Sequence, residues 1–152
     1  MTILVSSPAF QQGDLIPLRY SGYGQDISPP LQWEQIPKDT QCIALICDDP
    51  DAPGGIWVHW VMWNIPAGAQ GLPEEVPSTP DLADGSRQGI TDFGRHGYGG
   101  PMPPSGTHRY FFKVYALDCR LDLPDRATKA DLTRAMQGHI LAQGELMGRF
   151  RR

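Results

Sequence analysis

Three stretches of the chain concentrate residue types that can do chemistry. Asp48-Asp49-Pro50-Asp51-Ala52-Pro53 sets carboxylates on a loop that its prolines stiffen. Trp57-Val58-His59-Trp60 carries an imidazole within an apolar run. Gly97-Tyr98-Gly99-Gly100-Pro101 leads through Met102 to Gly106-Thr107-His108-Arg109-Tyr110, so a glycine-rich turn delivers a second histidine. Each stretch alone has a plain structural explanation: a solvated Asp turn, a core histidine and an ordinary loop. Together they make a compact polar set, and buried polar groups must be paired or must bind something. A small anion suits this set. Successive glycine N–H groups can converge on a negative guest. Imidazoles titrate near pH 6.5 and gain charge beside an anion. A carboxylate can accept the proton of a monoprotonated phosphate.

The elements that must position these groups are mostly strands. Gln41–Cys47 is continuously apolar and reads as a strand buried on both faces. Ile56–Ile65 is rich in β-branched and aromatic residues. Strict alternation there puts Trp57, His59, Val61, Trp63 and Ile65 on one face, with Val58, Trp60, Met62 and Asn64 on the other. His108–Asp118 is the third strong strand. His108, Tyr110, Phe112, Val114 and Ala116 share one of its faces, and Arg109, Phe111, Lys113, Tyr115 and Leu117 share the other. Weaker strands are expected near Ile3–Val5, Leu18–Tyr20 and Leu31–Trp33. One helix is expected: Thr128 with Asp131 resembles a capping box, and Leu132, Met136, Ile140 and Met147 fall near one stripe. Gly138 and Gly144 weaken that helix. The stretch Pro66–Met102 is loop, and a loop of that length is functional or partly structured. The expected architecture is mainly β, antiparallel, with one C-terminal helix and long loops.

A chain of 152 residues fits one domain spanning 1–152. The net charge of −4 argues against nucleic acid or an anionic membrane as a bulk electrostatic partner. Cys42, Cys47 and Cys119 are an odd set, which argues against a disulfide framework. Cys42 and Cys47 fall on opposite faces of one strand and read as buried thiols. Residues 1–10 lack a basic, apolar leader pattern. No apolar stretch reaches the roughly 20 residues of a membrane span. A cytoplasmic location is therefore expected. No phosphate-binding P-loop, serine nucleophile elbow or zinc-spaced Cys/His pair is present, so neither a metal nor another cofactor is expected. Asp92-Phe93-Gly94 reproduces a kinase tripeptide without its companions and reads as coincidence.

At its three clusters the sequence resembles the phosphatidylethanolamine-binding protein family, in the short bacterial branch described as Raf kinase inhibitor-like. The resemblance rests on Asp49-Pro50-Asp51-Ala52-Pro53, on Trp57 with His59, and on Tyr98-Gly99-Gly100-Pro101 followed by Gly106-Thr107-His108-Arg109-Tyr110. It runs from about Phe10 to the C-terminus. It implies an antiparallel β-sandwich with peripheral helices and a pocket for phosphate-type anions, including phospholipid headgroups. Carried over residue by residue, it has Asp49 contact the anion or its proton, with Asp51 bracing the pocket. His59 and His108 become paired imidazoles. Gly99, Gly100 and Pro101 become an N–H-donating turn, Trp57 and Tyr110 the walls, and Pro53 the rim. Met102 stands where many bacterial relatives carry cysteine. Arg95 and His96, just before the glycine turn, are candidates for adding positive charge at the mouth.

The resulting expectation is a non-enzymatic binding protein for phosphate, a phospholipid headgroup or a phosphorylated side chain. A regulatory, kinase-inhibitor-like role toward a protein partner goes with it. The alternative is a hydrolase that uses Asp49, Asp51, His59 and His108, with or without metal. The aromatic content is also consistent with an apolar patch and a homodimer.

Overall fold

The computed structural model describes residues 2–152; Met1 lies outside the described residues. In chain order the elements are β1 (Leu4–Ser6), a 3-10 turn (Leu18–Tyr20), β2 (Leu31–Glu34), β3 (Cys42–Asp49), β4 (Trp57–Pro66), β5 (Gly71–Leu72), β6 (Arg87–Gln88), β7 (Thr107–Leu117), α1 (Lys129–Met136) and β8 (Ile140–Arg151). They form two antiparallel sheets, ordered β1-β2-β5 and β6-β4-β3-β7-β8. The apolar run read as a doubly buried strand is β3, the centre of the larger sheet, and every residue of it is buried.

One face of the larger sheet carries Ile43, Leu45, Cys47, Trp60, Met62, Phe112 and Val114, which pack toward Leu31, Trp33 and Leu72 of the smaller sheet. The opposite face carries Cys42, Ala44, Ile46, Val61 and Trp63 and is covered by Leu121, Ala127, Leu132 and Met136 from the α1 segment. Removing each such large side chain from water contributes about 1.5–3 kcal/mol. The two faces of β3 therefore hold both layers to one strand. Cys42 and Cys47 fall on opposite faces as alternation requires, and all three thiols are unpaired.

The sequence reading departs from the structure in three places. Leu18–Tyr20 is a 3-10 turn, not a strand. Tyr20 donates its N–H to the Pro17 carbonyl at 3.1 Å, and Ser21 donates to Leu18 at 3.0 Å. Exposed Leu18 and buried Tyr20 only mimic a period of two.

The expected helix stops at Met136. Its capping box forms as read: Asp131 N–H donates to Thr128 Oγ1, and the Asp131 carboxylate accepts the Thr128 N–H. Gly138 then turns the chain with φ of 81°, and Ile140 onward runs as β8 against β7. Met136 and Ile140 are four apart, a spacing that satisfies a helix stripe and a strand face equally.

The third departure is in β4, where strict alternation fails. Cys47 pairs with Trp60 and Asp48 with Val58, so His59 is an extra residue, a β-bulge. Beyond it Val61 and Trp63 turn to the helix side, away from the face of His59. A second irregularity lies between Ile43 and Leu45, opposite Ile65 and Met62. There Asn64 adopts φ of 55°, and its side chain exchanges two 2.8 Å hydrogen bonds with the Leu121 backbone. This returns Ile65 to the face of Trp60.

The long stretch Pro66–Met102 is partly structured. It supplies β5 and β6, and Gln88 ties it down by accepting the Trp60 indole N–H at 2.7 Å and donating to the Pro77 and Thr79 carbonyls.

At Gly144 a Cβ would lie 1.8 Å from the Ile3 carbonyl oxygen, where the Ile3 N–H donates to Gln143 at 3.0 Å. Gly144→Ala is expected to cost about 1–3 kcal/mol by forcing the N-terminal segment off β8. Urea unfolding measures this, and an unchanged midpoint would show that the two segments do not depend on that approach.

Candidate functional site

β3, β4 and β7 end at the same edge of the larger sheet, and the pairing of Asp49 with Trp57 and of Asp48 with Phe111 fixes what meets there. Asp48 and Asp49 project to opposite faces. Asp48 is buried on the helix side, with the ammonium groups of Lys129 at 2.7 Å and Lys113 at 3.3 Å. Asp49, 3% exposed, is on the other side, where its Oδ2 accepts from His108 Nδ1 at 2.7 Å and its Oδ1 accepts the Asp51 N–H at 2.7 Å.

The bulge puts His59 on the same side. Its Nδ1 donates to the Gly99 carbonyl at 2.6 Å, while Gly99 N–H donates to the His59 carbonyl at 2.9 Å. This reciprocal clamp holds the glycine turn against β4. The His59 ring meets Tyr110 edge-on at 5.1 Å and Phe93 at 5.3 Å. Burial pushes the His59 pKa below its usual value, although the Gly99 carbonyl and the nearby carboxylates oppose this.

Asp49, His59, His108 and Tyr110 line one recess of about 270 Å³, together with Ala52, Pro53, Trp57, Phe93, Met102, Pro103 and Pro104. Both histidines have Nδ1 engaged in the protein interior. No hydrogen bond among the described residues reaches either Nε2. In the neutral rings each Nε2 is then an acceptor, and each becomes a donor only on protonation. Larger surface hollows of about 610 and 700 Å³ contain no imidazole.

Six of the ten residues read from sequence meet in this recess: Asp49, Pro53, Trp57, His59, His108 and Tyr110. Asp51 does not line it. It grips Arg109 from outside, accepting Nε and a terminal guanidinium nitrogen at 2.9 Å each and the Arg109 N–H at 2.9 Å. That guanidinium holds the Asp51 carboxyl below its ordinary pKa. Asp51 thus braces the Asp49 loop onto β7.

Gly99, Gly100 and Pro101 do not form the expected N–H cradle. Gly99 N–H is engaged by His59, Gly100 N–H donates to the Asp26 carboxylate at 2.6 Å, and proline has no N–H. The turn positions His59 and does not face a guest with donors. Arg95 and His96 do not line the recess, although the Arg95 guanidinium lies over the ring of the lining Phe93 at 5.1 Å. Arg95 pairs with Asp26 at 3.2 Å, and His96 Nε2 donates to the Asp125 carbonyl at 2.8 Å.

Sequence reasoning missed Ala52, Phe93, Met102, Pro103 and Pro104. Phe93 belongs to the tripeptide set aside as coincidence. Only the fold brings it to Trp57, ring to ring at 5.7 Å.

Because the folded state holds His59 below its unfolded pKa of about 6.5, the unfolded chain takes up this proton first as pH falls. The contribution of His59 to stability is full above about pH 6.5 and is lost below it. His59→Gln should flatten the fall in urea midpoint below about pH 6.5; an unaltered slope would assign that fall to other groups. Asp49→Ala strands the buried His108 Nδ1–H and should cost about 1–3 kcal/mol in the same assay.

The matched family model is described as phosphatidylethanolamine-binding protein and covers residues 6–151. A UPF0098 protein of Methanothermobacter thermautotrophicus is 53% identical over 144 residues, covering 95% of each chain. A UPF0098 protein of Aquifex aeolicus is 48% identical over 151 residues, covering 97% of this chain and 88% of its own. Among solved structures, a phosphatidylethanolamine-binding protein homologue from Chlamydia trachomatis superposes with a TM-score of 0.91 at 37% identity, covering 99% of this chain and 98% of its own. E. coli YbcL, described as a new member of the mammalian family, gives a TM-score of 0.91 at 30% identity, covering 100% and 99%. With its motifs, its two-sheet fold and these matches in agreement, the chain belongs to the phosphatidylethanolamine-binding protein family.

Proposed function

We propose that the recess binds a phosphate-type anion without turning it over, and that the bearer of that anion is a phospholipid headgroup or a phosphorylated side chain. One observation carries this reading: two buried imidazoles share a 270 Å³ recess, each anchored through Nδ1 and each with Nε2 free of partners among the described residues. A monoprotonated phosphate monoester, with a second pKa of about 6, can donate its hydroxyl to one such nitrogen. A protonated ring can donate to its other oxygens. Asp49 balances the positive charge as it develops on His108. Trp57, Phe93, Met102 and the prolines supply apolar walls for the organic part of the bearer, which favours an ester over the bare ion.

The Asp49–His108 pair also resembles the orienting half of a nucleophile-activating set. The described lining holds no serine, threonine or cysteine for that pair to activate. Among the described residues no helix is long and apolar enough to cross a membrane. The three unpaired thiols support a reducing, cytoplasmic setting. A role as regulator of a protein partner follows if that partner presents the phosphorylated group.

Calorimetry with inorganic phosphate, phosphoethanolamine and a phosphoserine peptide separates the bearers. Affinity should rise from about pH 8 to pH 6, with net proton uptake, because each Nε2 donates to the anion only when its ring is protonated. His108→Ala should weaken binding at least about tenfold, the loss of one charge-assisted hydrogen bond. Affinity that is flat or falls toward pH 6, or that is indifferent to His108→Ala, would sink the reading. Turnover of phosphate esters that is lost in His59→Ala would favour the hydrolase.

A further inference from the structure

The corner joining β7 to β8 holds three donor groups that the recess does not use. Asp118 and Cys119 follow β7 directly, and His139 immediately precedes β8. Pairing of Leu117 with Ile140 brings the two segments side by side. Asp118 N–H donates to the His139 carbonyl at 2.9 Å, and His139 N–H donates to the Met136 carbonyl at 2.9 Å. From the core side the buried Cys42 thiol donates to the Cys119 carbonyl at 3.2 Å. The backbones carrying the three donors are therefore fixed relative to one another. A carboxylate oxygen of Asp118, Sγ of Cys119 and a ring nitrogen of His139 all lie within 4.8 Å of one another.

We propose that Asp118, Cys119 and His139 bind a divalent cation of the zinc class. The donor set selects the metal class. Thiolate plus imidazole suits zinc and its borderline neighbours, whereas magnesium and calcium take oxygen ligands. Tetrahedral zinc bond lengths place ligand atoms roughly 3.3–3.6 Å apart, so Cys119 Sγ needs to close on the other two donors by at most roughly 1.5 Å, while the Asp118–His139 pair opens by about 0.5 Å. The Asp118 and His139 side chains are each 44% exposed and are free to make that adjustment. Asp118 Oδ1 and His139 Nδ1 already share a hydrogen bond at 2.8 Å, and the cation takes the place of that proton. The Cys119 thiol proton passes to the buffer, and His139 ligates as neutral imidazole. Carboxylate and thiolate together neutralise the ion, and water fills the fourth position. Bound there, the metal staples the β7 end to the β8 start, beside α1. No spacing rule marks this site in the chain, because its cysteine and histidine are far apart in sequence and neither belongs to a close pair.

The test uses the full chain after chelator treatment. Zinc chloride titrated by calorimetry should bind at one equivalent per chain with proton release. Cobalt chloride should give tetrahedral d–d bands and a thiolate-to-cobalt charge-transfer band. Cys119→Ser should abolish that band and weaken zinc binding by more than the roughly 10–100-fold typical of an outer-shell partner. Zinc at a hundredfold excess over its Kd should raise Tm by roughly 5–10 °C. If Cys119→Ser fails to fold, as judged by near-ultraviolet circular dichroism, Asp118→Asn and His139→Ala at half-exposed positions decide the matter by the same loss. The proposal is overturned if the cobalt spectrum lacks the thiolate band, or if zinc binds these variants as tightly as the parent chain. It is equally overturned if metal binding disappears on His59→Ala or His108→Ala, which would move the ion to the recess.

Discussion

A carboxylate withdrawn from water needs partners, and for Asp49 these are the His108 ring and the Asp51 N–H. An ionised group in such a place without them would cost several kcal/mol. The constraint reaches outward. His108 can meet Asp49 only if β7 lies beside β3 in its observed register, and Asp51 can donate only if the loop after β3 folds back sharply. The Arg109–Asp51 pair, on the far side of the same loop, helps to hold that return. Exposed as it is, it adds little to stability. The energetic weight therefore rests on the buried pair and on the strand packing beneath it.

His59 reaches the recess by a different route. Without the extra residue opposite Cys47 and Asp48, His59 could share a face with Val61 and Trp63, as alternation predicts, and those side chains now pack under α1. The bulge lets one strand serve two purposes. Its outer end presents Trp57 and His59 to the recess, and its inner length fills the core between the sheets and the layer under the helix. The glycine turn completes the arrangement by clamping the His59 main chain and ring together. Glycine is required at position 99 for proximity, since a Cβ there would lie 2.5 Å from the Phe93 ring. The role of the turn is thus to hold other groups in place.

Much of this was legible in the chain. The doubly buried strand, the face assignment of β7 and the Thr128–Asp131 cap follow from local rules of period and hydrogen bonding, and all three appear as read. The misreadings share a cause. Leu18–Tyr20 and Met136–Ile140 have spacings that fit more than one backbone, and only the tertiary partner selects between them. The β4 faces went wrong because a bulge leaves no local signature in a run that is apolar on both sides.

The residues alone determined which chemistry is available: two imidazoles, a carboxylate and aromatic walls, on strands whose apolar patterns demand a sheet buried on both faces. They also determined the order of those pieces, and hence the resemblance. Tertiary structure decided which nitrogen of each ring is left toward the recess and which N–H groups are already engaged. It also decided that Phe93 and the Met102–Pro104 segment complete the recess, and that Asp118, Cys119 and His139 meet at a distant corner. The physical reason is that hydrogen-bond partners and strand register are set by groups far apart in the chain. Periodicity and spacing carry no record of them.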